Sequence, residues 1–166
     1  GYDENGTAQA SSELYNPAVN SWTPAATMHA PHRRHAATLL GTGNVLVTGS
    51  YANAELYDPS RDAWRETPPM QQLRLYSAAT MLADGRVLIV GGHDCDGPGL
   101  GVKATHLFDP RTMTWTRGPD MNYARWYPTA TTLADGRVIV LGGSTMTTVD
   151  YVSIPEVYDP VTNTFT

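Results

Sequence analysis

Cysteine and lysine are nearly missing from this chain: Cys95 and Lys103 are the only examples. A single cysteine excludes an internal disulfide framework and a CxxC metal site. Basic residues are outnumbered, with 11 Lys and Arg against 16 Asp and Glu and a net charge of −5. Such a balance lacks the basic footprint that grips nucleic acid, so no nucleic-acid partner is expected. No run of 18 apolar residues occurs, so no membrane span is expected either. No signal peptide is visible, and because the chain opens on "GYDENG" in the middle of a pattern, any leader is expected upstream. The phosphate loops GxGxxG and GxxxxGK[ST] and the nucleophile elbow GxSxG are absent as well. No stretch sustains a period of 3.6, which leaves no helix of note.

What remains is a repeat. The 166 residues are 41% hydrophobic and 16% charged, enough for a core of about one domain. One phrase recurs four times: "SELYNPAVNSW" (12–22), "AELYDPSRDAW" (54–64), "THLFDPRTMTW" (105–115) and "PEVYDPVTNTF" (155–165). Its last aromatics are Trp22, Trp64, Trp115 and Phe165, at intervals of 42, 51 and 50 residues. A second phrase runs between them: "HAATLLGTGNVLVTGS" (35–50), "SAATMLADGRVLIVGG" (77–92) and "PTATTLADGRVIVLGG" (128–143). In the last, Asp135-Gly136 supplies the positive φ of a tight hairpin turn. "RVIVL" suits a strand buried on both faces, and Gly142-Gly143 ends it. Tyr-Asp-Pro halts a third strand, because proline lacks the N–H that a ladder needs. A fourth strand follows.

A four-stranded unit every 40 to 50 residues, without helices, reads as a propeller blade. The order of strand, double glycine, Tyr-Asp-Pro and Trp resembles the kelch repeat. The expected fold is therefore an all-β, kelch-type β-propeller, incomplete in this chain. Residues 1–28 form an outer half-blade, and 32–66, 73–117 and 124–166 form complete blades. The aromatics are expected to fill the seams between blades. Three and a half blades cannot close a ring, and open blades expose apolar faces. The remaining blades are expected from missing chain or another polypeptide.

The stretch "RGPDMNYARWYPTATTLADGRVIVLGG" resembles the galactose oxidase and glyoxal oxidase family of copper-radical enzymes. That family implies a seven-bladed kelch propeller that oxidises alcohols or aldehydes, releases hydrogen peroxide and is usually exported. Its copper-binding tyrosine lies eight residues before a turn aspartate, as Tyr127 lies before Asp135. In the family that tyrosine is bonded through sulfur to a cysteine one blade earlier; the matching residue here is Tyr76, ahead of Asp84. The resemblance implies copper and a role for Tyr127 if the chain is an oxidase. Otherwise no cofactor is expected.

Arg33, Arg74 and Arg125 recur just before the inner strands. They either cluster at the channel mouth or bind backbone carbonyls between blades. The leading expectation is a non-catalytic binding or structural module. Its contact face comprises Arg34, Arg74, Tyr76, Arg125, Trp126 and Tyr127, facing a protein or carbohydrate ligand through forked hydrogen bonds and ring stacking. "HAPHRRH" (29–35) could bind an anion or simply line the mouth. "HDCDGPGLG" (93–101) reads as a surface loop, with a cation site at His93, Asp94, Cys95 and Asp96 as its alternative.

Overall fold

The computed structural model describes residues 1–49, 51–72, 74–93, 100–145 and 150–166, with only the backbone at 51 and 52. Among these residues there is no helix. The strands are β1 (Ser12–Asn16), β2 (Ser21–Ala25), β3 (Ala36–Leu39), β4 (Val45–Gly49), β5 (Tyr51–Asp58), β6 (Ala63–Glu66) and β7 (Ala78–Met81). They continue with β8 (Val87–Val90), β9 (Thr105–Asp109), β10 (Thr114–Arg117), β11 (Thr129–Thr132), β12 (Val138–Leu141), β13 (Glu156–Asp159) and β14 (Thr164–Phe165). Three antiparallel meanders result, β3–β6, β7–β10 and β11–β14, beside the two-stranded sheet β1–β2. The innermost strands β3, β7 and β11 neighbour one another. This is the blade arrangement of an incomplete kelch β-propeller.

The second and third inner hairpins turn at Asp84-Gly85 and Asp135-Gly136, and the first at Thr42-Gly43. Gly136 has φ +88, and its N–H donates to Leu133 O at 2.9 Å. The glycine pairs serve close approach. A Cβ at Gly143 would lie 2.8 Å from Trp126 O, and Gly143 also has φ +89, a conformation that disfavours side chains.

Each blade buries alternate residues against its two neighbours, as strand pleating requires. Leu40, Leu46 and Leu56 of the first full blade meet Val87, Ile89 and Phe108 of the second. Leu82, Leu88, Val90 and Leu107 of the second meet Val138, Val140 and Tyr158 of the third. The aromatic pairs recur with little change: Tyr15–Trp22, Tyr57–Trp64, Phe108–Trp115 and Tyr158–Phe165 have ring centroids 4.7 to 5.1 Å apart at 40 to 42°. Two tryptophans also cross seams. Trp64 Nε1–H donates to Ala26 O at 2.8 Å, and Trp115 Nε1–H to Thr67 Oγ1 at 3.3 Å.

The outer turns carry a matched pair of residues. Tyr15, Tyr57 and Tyr158 donate their hydroxyls to Asn20, Asp62 and Asn163, five residues on, at 2.8 to 2.9 Å. Those three partners have positive φ, which Asn and Asp tolerate best after glycine. In the second full blade Phe108 has no hydroxyl, and Met113 stands at the left-handed position. Asp62 does more than its equivalents, since its Oδ1 also accepts Ala26 N–H at 2.8 Å. Asp62→Ala is therefore expected to cost roughly 1–2 kcal/mol in urea unfolding, from two lost hydrogen bonds and a worse residue at positive φ. Asn20→Ala should cost visibly less.

Candidate functional site

The residues ahead of the inner strands form two layers. The lower layer is buried and basic in composition. His32, Arg74 and Arg125 stand two residues before Arg34, Tyr76 and Tyr127, and all three are completely buried. Each reaches the carbonyl that closes its own hairpin: His32 Nδ1 to Gly49 O at 2.9 Å, Arg74 Nη1 to Gly91 O at 2.9 Å, and Arg125 Nη1 to Gly142 O at 2.6 Å. Each also meets a side chain on the third strand of its blade. His32 Nε2 lies 3.1 Å from Glu55 Oε1. Arg125 Nε–H donates to Glu156 Oε2 at 2.9 Å. Arg74 Nη2 lies 3.1 Å from His106 Nδ1, which must accept, because a guanidinium has only donors.

These carboxylates are fully engaged. Glu55 also accepts His29 N–H, Ala30 N–H and the His29 ring. Burial pushes the Glu55 carboxyl up, but those hydrogen bonds together with His32 outweigh it and hold it below the ordinary value. Glu156 accepts Asn122 N–H and, at 3.3 Å, Tyr123 N–H. His106 has no acid partner in that role. Burial first, then the Arg74 and Arg117 charges, push its imidazole down to about 4.

This layer corrects two expectations. Arg74 and Arg125 do not belong to an exposed face. They lie beneath it, donating to Gly91 O, Ala104 O, Gly142 O and Ile154 O, because a guanidinium carries five donors in a fixed fork. The third member of the series is His32 rather than Arg33. Alternate residues of an extended chain point opposite ways, and Arg33 turns outward so that its Nη1 donates to Tyr2 Oη at 3.1 Å. His29 and His32 of "HAPHRRH" accordingly brace Glu55. Glu55, His106 and Glu156 did not emerge from the sequence as functional positions. Their signal was nonetheless present: each stands two residues before the Tyr or Phe of the recurrent phrase.

The upper layer is exposed and aromatic. Arg34, Tyr76 and Tyr127 have φ of +52°, +59° and +59°. Bulky residues in this region are strained, and such strain gathers where side chains must be held in place. Tyr76 N–H donates to Arg34 O at 3.0 Å, tying two blades. The side chains form a row. Arg34 Cζ lies 4.6 Å from the centroid of Tyr76, and the Tyr76 and Tyr127 rings are 3.9 Å apart at 44°. Trp126 supports both rings, 5.1 Å from Tyr127 and edge-on to Tyr76 at 5.4 Å.

A cleft of about 230 Å³ lies among Arg34, His35, Tyr76, Ser77, Tyr127 and Pro128. A second, of about 220 Å³, lies beyond Tyr127 against Trp126, Gly143, Ser144 and Tyr151. Tyr127 is 57% exposed between them. Arg34 has no carboxylate partner among the described residues. Burial, with the adjoining Tyr127 hydroxyl second, pushes the Tyr76 phenol up to about 12, so it stays protonated at neutral pH. Among the described residues no three His, Cys, Asp or Glu side chains gather where a metal could sit. Asp94, Cys95 and Asp96 lie outside the described residues. His93 is described, with its ring 6.1 Å from Trp126.

Repeated four-stranded blades around a shared inner edge define a kelch-repeat structure, and kelch motif models match residues 74–122 and 125–166. Among curated proteins, the chain is similar to galactose oxidase of Gibberella zeae, with 41% identity over 68 residues. That match covers 41% of this chain and 10% of the oxidase. It is also similar to an F-box/kelch-repeat protein of Arabidopsis thaliana, with 46% identity over 61 residues, covering 36% of this chain and 17% of that protein. The matched stretch therefore spans about a tenth of one relative and a sixth of the other.

Proposed function

We propose that this chain is a non-catalytic kelch module whose hub-facing row of Arg34, Tyr76, Trp126 and Tyr127 binds a partner, with Arg74 and Arg125 as its buried support. The observation that carries this reading is the recurrence of a strained, bulky residue at one register of three successive blades, with the middle side chain, Tyr76, against both others. A guanidinium with no carboxylate partner among the described residues, beside ring faces, suits a carboxylate next to a sugar or aromatic face. A protein or an acidic carbohydrate presents such a group. Kelch repeats commonly mediate protein binding, and the Arabidopsis relative is a kelch-repeat protein.

A copper-radical oxidase is the second reading, favoured by the likeness to galactose oxidase around Tyr127. The described residues do not fit it well. The neighbour of Tyr127 across the seam is Tyr76, a phenol in the place where the resemblance calls for a cysteine.

Tryptophan fluorescence separates the two readings. Titration with oligogalacturonate is expected to report binding that Arg34→Ala and Tyr127→Ala each weaken roughly tenfold, the scale of one lost charged or stacking contact. The neutral galactose oligomer should bind weakly, and a panel of acidic peptides tests the protein alternative. Stoichiometric copper, a two-hydrogen mass loss at Tyr127 and peroxide output would instead establish the oxidase.

A further inference from the structure

We propose that Tyr76 and Tyr127 form an oxidative cross-linking site, at which a one-electron oxidant of the haem peroxidase class joins the two phenols ring to ring and staples the second full blade to the third. The proposal does not rest on what the row binds. It starts from one distance. The two ring centroids are 3.9 Å apart at 44°, whereas aromatic pairs usually stand about 4.5–7 Å apart. The recurrent blade pairs keep to that range, at 4.7 to 5.1 Å. Among the described residues no other two tyrosine rings meet. Tyr15, Tyr57 and Tyr158 face Trp or Phe instead and commit their hydroxyls to Asn or Asp.

The backbone holds the rings in this contact. Both tyrosines have φ +59°, and each follows a buried arginine by two residues. Tyr76 N–H is tied to Arg34 O. Trp126 packs on both rings, 5.1 Å from Tyr127 and edge-on to Tyr76 at 5.4 Å. Partners held this way meet at a high effective concentration. Tyr127 is 57% exposed and open to an outside oxidant, with Tyr76 half-buried against it. The Tyr127 hydroxyl also adjoins the Tyr76 phenol and helps push its pKa up. The product of ortho coupling likewise carries its two hydroxyls side by side.

Each phenol gives up one electron and its hydroxyl proton to become a phenoxyl radical, whose unpaired electron is shared with the ring carbons ortho to oxygen. The two radicals pair at one ortho carbon of each ring and form a carbon–carbon bond. The hydrogens displaced from those carbons return to the oxygens and restore both hydroxyls. Two ring C–H bonds are lost, one C–C bond is gained, and two electrons and two protons leave. They reduce one hydrogen peroxide, turned over by the haem oxidant, to two waters. The bond closes the loop between residues 76 and 127, which removes freedom from the unfolded chain. The cross-linked chain therefore withstands more denaturant.

The intact chain, treated with a haem peroxidase and hydrogen peroxide, is expected to gain blue dityrosine fluorescence. Its mass should fall by two hydrogens without dimerisation, digestion should yield one peptide pair joined through Tyr76 and Tyr127, and the urea midpoint should rise. Tyr76→Phe and Tyr127→Phe keep the rings and should each lower the fluorescence yield roughly tenfold or more, the advantage of held over colliding partners. Tyr151→Phe removes a more exposed tyrosine and should leave the yield unchanged. The mass loss needs the added oxidant and involves Tyr76, which separates it from a copper-dependent loss at Tyr127. A product that grows with chain concentration, or that survives either of the first two substitutions, overturns the site. So does a bond from Tyr127 to Cys95, or oxygen uptake at Trp126 in place of the cross-link. A joined pair with an unmoved midpoint overturns the staple.

Discussion

Arg125→Met is expected to destabilise the chain by roughly 3–5 kcal/mol in denaturant unfolding, because it strips the counter-charge from a buried carboxylate. The guanidinium meets Glu156, Gly142 O and Ile154 O, the last at 2.5 Å. Arginine and glutamate are 0% and 1% exposed. Removing the cation leaves Glu156 buried and two carbonyls without their donor. The Arg125→Met/Glu156→Met double variant should recover much of the loss, since replacing a buried ion pair outright by apolar groups is often tolerated. A loss no larger than that of a surface substitution would show that water already reaches the pair.

The second large effect is acid lability set by His106. Its imidazole is neutral in the folded chain down to about pH 4, while the unfolded chain protonates it near the ordinary 6.5. Between those values the unfolded state binds the extra proton, so stability is complete above about pH 6.5 and falls as pH falls toward 4. The shift corresponds to roughly 2–3 kcal/mol at about 1.4 kcal/mol per pKa unit. His106→Gln keeps an acceptor for Arg74 and does not titrate. Carboxylates contribute equally to both proteins, so the difference between the wild-type and variant curves isolates the histidine. Parallel curves would mean that His106 titrates normally. In the other two blades Glu55 and Glu156 occupy the place of His106.

The same register explains what could be read without coordinates. The hairpins, the halted third strands and the absence of helices follow from neighbours in sequence: an Asp-Gly turn, a Tyr-Asp-Pro stop, a run of Val and Ile. The seams also follow, because four copies of one phrase must place their aromatics alike. Tyr76 and Tyr127 were legible as neighbours, since each stands eight residues before its turn aspartate. The depth of the arginines was not legible. An arginine four residues before an inner strand can face solvent or core, and for Arg125 the choice lies with acceptors 17 to 31 residues away.

The sequence alone determined the architecture, because a repeat needs only local signals and a constant period to stack like on like. Tertiary structure decided which side chains form the exposed row. It sank His32, Arg74 and Arg125 onto buried carbonyls and left Arg34, Tyr76 and Tyr127 in a row above them. Those acceptors exist only once separate strands have paired, and a buried polar side chain goes where acceptors can meet it.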